Sequence, residues 1–193
     1  MLVLASASPR RQELLRAAGI SFVVQPADVD ETALPNESAR ECAERLAQQK
    51  ALHVWNERPN DVVLGADTVV VVDGATLGKP ADTDDATRML RLLRGRDHQV
   101  ITGICLVKRG VGSADRRNEK NELRTASETT LVTMSEISDQ EISDYVATGE
   151  PMDKAGAYAI QGIASRWIPH IEGDYSNVVG LPVALVYRML RRG

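Results

Sequence analysis

Two hydrophobic periods alternate along the chain and divide it into elements. The opening run Leu2-Val3-Leu4 is apolar and followed by small residues, and predicts a core strand. Ser8 and Pro9 then supply an N-cap and a first helical position for a helix that carries Leu14, Leu15, Ala17 and Ala18 and stops at Gly19. A short strand over residues 22–24 leads into an acidic loop bounded by Pro26 and Pro35. From Asn36, read as a cap, a 3.6-residue repeat puts Ala39, Cys42, Ala43, Leu46, Ala47, Ala51 and Val54 on one side of a helix of about five turns.

The next apolar run, residues 62–64, predicts a second core strand that leaves the sheet through Gly65-Ala66 just before Asp67. A β-branched run ending in Asp73-Gly74 signals a hairpin turn. After Lys79-Pro80, Thr83 is read as the cap of a third helix over residues 84–94, with Ala86, Met89, Leu90 and Leu93 on its apolar side. Residues 100–107 and 129–133 predict partner strands, and the polar stretch 108–126 between them predicts a hairpin tip. Ser138 to Glu141 forms a capping box for a short helix ending near Thr148-Gly149. Segments 166–171 and 177–179 predict strands that close the sheet, and Pro182 starts a C-terminal helix with Val183, Ala184, Val186, Tyr187 and Leu190.

Composition narrows the class. With 193 residues, 43% hydrophobic and 26% charged, the chain suits one soluble domain over residues 1–193, or two lobes sharing a core. The 23 basic residues against 27 acidic ones argue against a general nucleic-acid-binding surface. No apolar run reaches transmembrane length and no signal peptide is recognised, so the expected location is the cytoplasm, with no membrane partner. Cys42 and Cys105 lack metal-type spacing and read as reduced, buried small hydrophobes. His53, His98 and His170 are scattered and read as structural or surface residues.

Candidate chemistry stands where local rules are broken. Arg10 and Arg11 fall in a first helical turn, where the helix dipole favours acidic residues. They are either solvated or, with serine hydroxyls and free amides nearby, part of an anion site best suited to phosphate. Asp28, Asp30 and Glu31 cluster in the acidic loop, a solvated turn or a ligand set for a hard divalent cation, with Asp30 and Glu31 as candidates. Lys50 interrupts the apolar stripe of its helix, and either snorkels at the margin or points its ammonium into a polar cleft. Asp67 follows two small residues and either caps a turn or serves as a base or metal-organising group. The loop over residues 151–162 is dense in small residues yet carries Asp153, Lys154, Tyr158 and Gln161, a makeup suited to lining a pocket.

Taken in order, Ala5-Ser6-Ala7-Ser8-Pro9-Arg10-Arg11, Glu31, Arg45-Leu46-Ala47-Gln48-Gln49-Lys50-Ala51, Gly65-Ala66-Asp67-Thr68-Val69-Val70, Gly78-Lys79-Pro80, Asp153 to Gly162 and Val179-Gly180-Leu181-Pro182 resemble the Maf family of nucleoside triphosphate pyrophosphatases. The likeness runs along essentially the whole chain. It implies an α/β fold with an elongated mixed β-sheet flanked by helices, two lobes with a central cleft (Maf/ITPase-like), and a homodimer. It further implies hydrolysis of a nucleoside triphosphate to the monophosphate and pyrophosphate with a divalent cation, Mg2+ or Mn2+. By position, Asp67 matches the proton acceptor, and Glu31 with Asp67 the metal site. Arg10, Thr68 and Gln161 match positions for base choice, and Ser8, Arg11, Lys50 and Lys79 match phosphate-contacting positions. The run Ala157-Tyr158-Ala159-Ile160-Gln161-Gly162 resembles the dTTP and UTP branch, with a housekeeping role on the nucleotide pool and a possible link to cell-division arrest. A 7-methyl-GTP branch and a non-catalytic nucleotide-binding regulator of septation stand as the alternatives.

Overall fold

The computed structural model describes residues 1–110 and 121–191. Its elements, in chain order, are β1 (Leu2–Leu4), α1 (Pro9–Ala17), β2 (Val23–Val24), α2 (Ala39–Glu57), β3 (Val62–Val72), β4 (Ala75–Leu77), α3 (Thr83–Leu93), β5 (Asp97–Arg109), β6 (Asn121–Thr133), α4 (Asp139–Ala147), β7 (His170–Glu172), α5 (Tyr175–Val179) and α6 (Val183–Arg191). The strands form one seven-stranded mixed sheet in the order β2-β1-β3-β5-β6-β7, with β4 added to β3. β1 pairs parallel with β2 and β3, while β4 on β3 and β7 on β6 pair antiparallel. The fold is therefore α/β, a mixed sheet flanked by helices. Among the described residues no helix is long and apolar enough to cross a membrane.

By compactness the chain divides into two units: Met1–Asp67, Thr102–Glu128 and Gly180–Gly193 in the first, Thr68–Ile101 and Thr129–Val179 in the second. In the first unit, strand alternation sorts the core into two layers. Val3, Val63, Cys105 and Val107 pack with Ala47, Ala51 and Val54 of α2. On the other face Leu4, Leu64, Ile104 and Leu106 pack with Leu15 of α1 and Val186 of α6. A strand covered on both faces must be apolar at successive positions, which is why Leu2-Val3-Leu4 and Val62-Val63-Leu64 show no alternation. In the second unit, Ala86, Met89, Leu90 and Leu93 of α3 and Ile142, Tyr145 and Val146 of α4 are buried. Arg91 and Arg94 of α3 both bond the Asp139 carboxylate at the start of α4, at 3.1 and 2.9 Å.

Several sequence expectations need correction. Asn36 does not cap α2; it takes a left-handed φ of 60°, and Ser38 caps instead through a capping box with Glu41. Asp82, rather than Thr83, caps α3 by accepting the Asp85 N–H. β3 does not leave the sheet at Gly65-Ala66 but runs unbroken to Val72, so Asp67 lies in mid-strand. Gly65 is small for a different reason: a Cβ there would overlap the Ala47 carbonyl oxygen of α2. β5 and β6 extend to Arg109 and back from Asn121, so much of the expected hairpin tip is strand; residues 111–120 of that stretch lie outside the described residues. Residues 177–179 are helical rather than extended, because the Asp174 carboxylate accepts the N–H groups of Ser176 and Asn177 and starts a turn. Of segment 166–171, only His170 and Ile171 are in a strand, and Ile163–Trp167 is a 3-10 turn. The Asp73-Gly74 hairpin stands as expected, with φ of 48° and 78° between Val72 and Ala75.

Candidate active site

Alternation along β3 decides what Asp67 faces. Val63, Gly65 and Asp67 occupy one parity, and Val63 belongs to the layer under α2, so Asp67 presents its carboxylate to that helix. α2 lies close to the sheet because two glycines admit it: a Cβ on Gly65 would meet Ala47 and Ala51, and one on Gly103 would meet the Ala43 backbone. Lys50 sits on the same helical face as Ala47, Ala51 and Val54. The ammonium is buried, with Lys50 only 7% exposed, and Nζ bonds Asp67 Oδ1 at 2.6 Å and Glu31 Oε1 at 2.6 Å. Of the two sequence alternatives for Lys50, snorkelling is excluded. Burying a charge is tolerated only where opposite charge meets it, and here two carboxylates do.

Glu31 is held in place by its loop. Arg45, on α2, makes a fork to Glu37, Nε to Oε1 at 2.6 Å and Nη2 to Oε2 at 2.8 Å, and Nη2 also donates to the Thr32 carbonyl at 3.1 Å. The Arg45 bonds hold the Glu37 carboxyl well below the usual carboxylate range, at about 2. Asp30 bonds the Thr32 N–H at 2.9 Å, so its carboxylate caps a turn within the loop.

Arg11 is set differently from a solvated arginine. Its Nε donates to the Gly180 carbonyl at 2.8 Å, and Nη1 donates to the Ala66 carbonyl at 2.8 Å and to Ser6 Oγ at 3.1 Å. The side chain thus ties the first turn of α1 to β3 beside Asp67 and to the turn before α6. Burial lowers the Arg11 pKa from its ordinary value; Asp67 opposes that effect, Arg10 adds to it, and Glu31 opposes it. Ser8 has the N-cap position but makes no side-chain cap bond; Ser6 Oγ accepts the Ser8 N–H at 3.3 Å instead. Ser6 stood in the sequence only as one of the serine hydroxyls beside the Arg10-Arg11 turn.

The first unit therefore brings Glu31, Lys50, Asp67 and Arg11 together, with Ser8 and Arg10 on the same α1 turn. Thr68, Lys79 and Gln161 belong to the second unit. There, Lys79 follows Gly78, whose carbonyl accepts the Gly156 N–H at 3.0 Å, and Gly156 lies against Val70, where a Cβ would crowd the valine. Gln161 is exposed, at the third position of a turn closed by Gly162 N–H to the Ala159 carbonyl at 3.0 Å. His98 is buried and its Nε2 lies 2.7 Å from the Tyr158 hydroxyl, three residues before Gln161.

The donor chemistry of Glu31 and Asp67 suits a hard cation. Two carboxylates converge on one point, and among the described residues no group of three or more His, Cys, Asp or Glu stands together. Both oxygens here meet the Lys50 ammonium; as carboxylate oxygens they are of the type Mg2+ takes, one or two at a time, with phosphate oxygens completing its shell.

A buried lysine clamped between two carboxylates, beside an arginine-bearing helix start on an α/β sheet, gathers charged groups of both signs at one place in the first unit. The chain belongs to the Maf-like protein family, whose profile matches residues 1–193. A dTTP/UTP pyrophosphatase of Koribacter versatilis is 56% identical over 191 residues, 99% of this chain and 93% of that one. One of Symbiobacterium thermophilum is 53% identical over 189 residues, 98% and 92% of the two chains. A third, from Syntrophomonas wolfei, is 47% identical over 189 residues, 98% and 95%.

Proposed function

We propose that this protein is a hydrolase that splits dTTP and UTP to the nucleoside monophosphate and pyrophosphate. The observation that carries the proposal is the Glu31–Lys50–Asp67 cluster, in which the buried Lys50 ammonium meets the buried Asp67 and the exposed Glu31, both ion pairs at 2.6 Å. Similarity over 98–99% of the chain to relatives named dTTP/UTP pyrophosphatase supports the choice of reaction and base.

In this reading Asp67 accepts the proton of a water that adds to the α-phosphorus, and the anhydride oxygen takes the bonding pair and departs with pyrophosphate. A carboxylate in a strand buried on both faces is fixed in direction, so little is spent on orienting it during reaction. Lys50, Arg11 and Lys79 supply fixed positive charge to a substrate carrying about four negative charges. A divalent cation, Mg2+ or Mn2+, would be held by Glu31 and Asp67 and would neutralise part of the triphosphate charge. Lys50 keeps those two carboxylates together without it. Gln161 would read the base, since a side-chain amide offers one donor and one acceptor to a uracil-type edge.

The test is pyrophosphate release from dTTP, UTP, CTP, GTP and 7-methyl-GTP with Mg2+ or Mn2+, for the wild type beside Asp67→Asn. The expected result is turnover of dTTP and UTP that falls about a hundredfold or more in the variant. Equal turnover by Asp67→Asn removes Asp67 from the chemistry, and turnover confined to 7-methyl-GTP overturns the base assignment.

A further inference from the structure

The turn that carries Gln161 is gripped at both ends by one pair of side chains that no local sequence pattern connects to it. Tyr145, on α4, is 1% exposed, and its hydroxyl donates to Glu150 Oε1 at 2.8 Å while accepting the Ala159 N–H at 3.2 Å. The same Glu150 carboxylate accepts the Ile163 N–H, at 3.1 Å through Oε1 and 3.3 Å through Oε2. Ala159 and Ile163 are the residues two before and two after Gln161. Between them, Gly162 leaves room for the grip: a Cβ there would displace the Glu150 carboxylate from the Ile163 N–H.

The grip is itself fixed. The Tyr145 ring meets Trp167 edge to face, centroids 5.3 Å apart, and the Glu150 N–H is bonded to Thr148 Oγ1 at 3.2 Å. Burial, reinforced by the Glu150 carboxylate, pushes the Tyr145 hydroxyl up, so it keeps its proton and remains a donor to Glu150. Two backbone N–H groups, a hydroxyl and a carboxylate thus close a small network in which every proton has an acceptor.

We propose that Tyr145 and Glu150 are positioning residues for Gln161, setting the backbone of its turn so that the amide meets a uracil-type edge in one orientation. This inference rests on the role proposed above for Gln161. Uracil presents a donor beside an acceptor and cytosine the reverse, and a side-chain amide satisfies either by turning over. Discrimination therefore depends on where the amide is placed, and the two tied N–H groups fix the backbone from which it projects.

The experiment compares UTP with CTP in four proteins: wild type, Tyr145→Phe, Gln161→Ala and the double variant, each confirmed folded by circular dichroism. Phenylalanine keeps the ring on Trp167 and removes only the hydroxyl. Tyr145→Phe is expected to shrink the UTP over CTP ratio of kcat/KM by about tenfold. The loss should lie in KM for UTP, with kcat within about threefold of wild type, because a base contact is remote from the reacting phosphorus. In the Gln161→Ala background the Tyr145→Phe substitution should leave the ratio unchanged, since the residue it positions is gone. If Tyr145→Phe does not fold, Glu150→Gln, which keeps an acceptor but loses the charge, carries the same comparison. A ratio shifted by Gln161→Ala but not by Tyr145→Phe overturns the positioning role alone, as does an equal effect of Tyr145→Phe with and without Gln161. A ratio untouched by Gln161→Ala overturns the base-reading role and the positioning role with it.

Discussion

His98 makes the stability of this protein depend on pH in a window where few other groups titrate. The ring is 2% exposed, and burial lowers its pKa from 6.5 to about 4, against the opposing effects of Asp97 and a backbone bond at Arg96. Between Nε2 and the Tyr158 hydroxyl, 2.7 Å apart, there is room for a single hydrogen. Burial likewise pushes the Tyr158 hydroxyl up, so the tyrosine remains neutral throughout. The unfolded chain takes up a proton at His98 below its ordinary value of 6.5, while the folded chain refuses it until about 4. Stability is therefore full above pH 6.5, is lost progressively as pH falls toward 4, and loses no more on this account below that. The whole shift corresponds to about 3 kcal/mol, and about 2 kcal/mol of it is lost by pH 5. Urea unfolding followed by the fluorescence of Trp55 and Trp167, for wild type and His98→Gln at pH 7.5 and pH 5, measures it. His98→Gln is less stable than wild type at pH 7.5, and the gap narrows by about 2 kcal/mol at pH 5, about 1 M urea in the midpoint difference. Carboxylates lose stability in both proteins alike and cancel in the comparison. A gap equal at the two pH values refutes the argument.

Asp67→Asn, which keeps an oxygen for the Lys50 ammonium, should change the urea midpoint by an amount worth less than about 1 kcal/mol while lowering turnover about a hundredfold or more, because the packing under α2 is untouched. Lys50→Met leaves Asp67 and Glu31 facing each other without their shared cation; it should cost about 3 kcal/mol in the same unfolding assay as well as activity, and an unchanged midpoint would show that the cluster contributes nothing to the fold. Gly65→Ala pushes a methyl into the Ala47 carbonyl and the Ala51 backbone of α2, and should cost about 2–3 kcal/mol and reduce turnover by displacing Lys50. Wild-type stability and activity in that variant would mean that α2 has slack over β3.

The elements whose signals are local were legible in the sequence. Consecutive apolar residues marked β1 and the start of β3 as core strands, the 3.6-residue repeat marked α2, the capping box marked α4, and Asp73-Gly74 marked the β3–β4 hairpin. Boundaries were less legible where two candidate caps stand close together. Asn36 and Ser38 both qualify by composition, but only Ser38 has a glutamate three residues on that reaches back to its backbone. Val178 and Val179 are β-branched, yet a carboxylate three residues before Asn177 turned the chain into a helix.

The sequence by itself determined the type of the elements with strong local patterns, the burial of the two cysteines and the residue types from which the Glu31–Lys50–Asp67 cluster is made. Only the tertiary structure decided between the alternatives for Lys50, because whether a lysine on an apolar stripe reaches solvent depends on what the facing strand offers, and that partner, Asp67, lies 17 residues away. The same holds for Arg11, whose acceptors at Ala66 and Gly180 are 55 and 169 residues distant. Tyr145 and Glu150 left no trace in the sequence beyond a buried position and a polar one. Hydrophobic period and capping chemistry act over one or two turns of chain and can be read from order alone, whereas ion pairs and side-chain grips on distant backbone exist only once the sheet has brought their partners together.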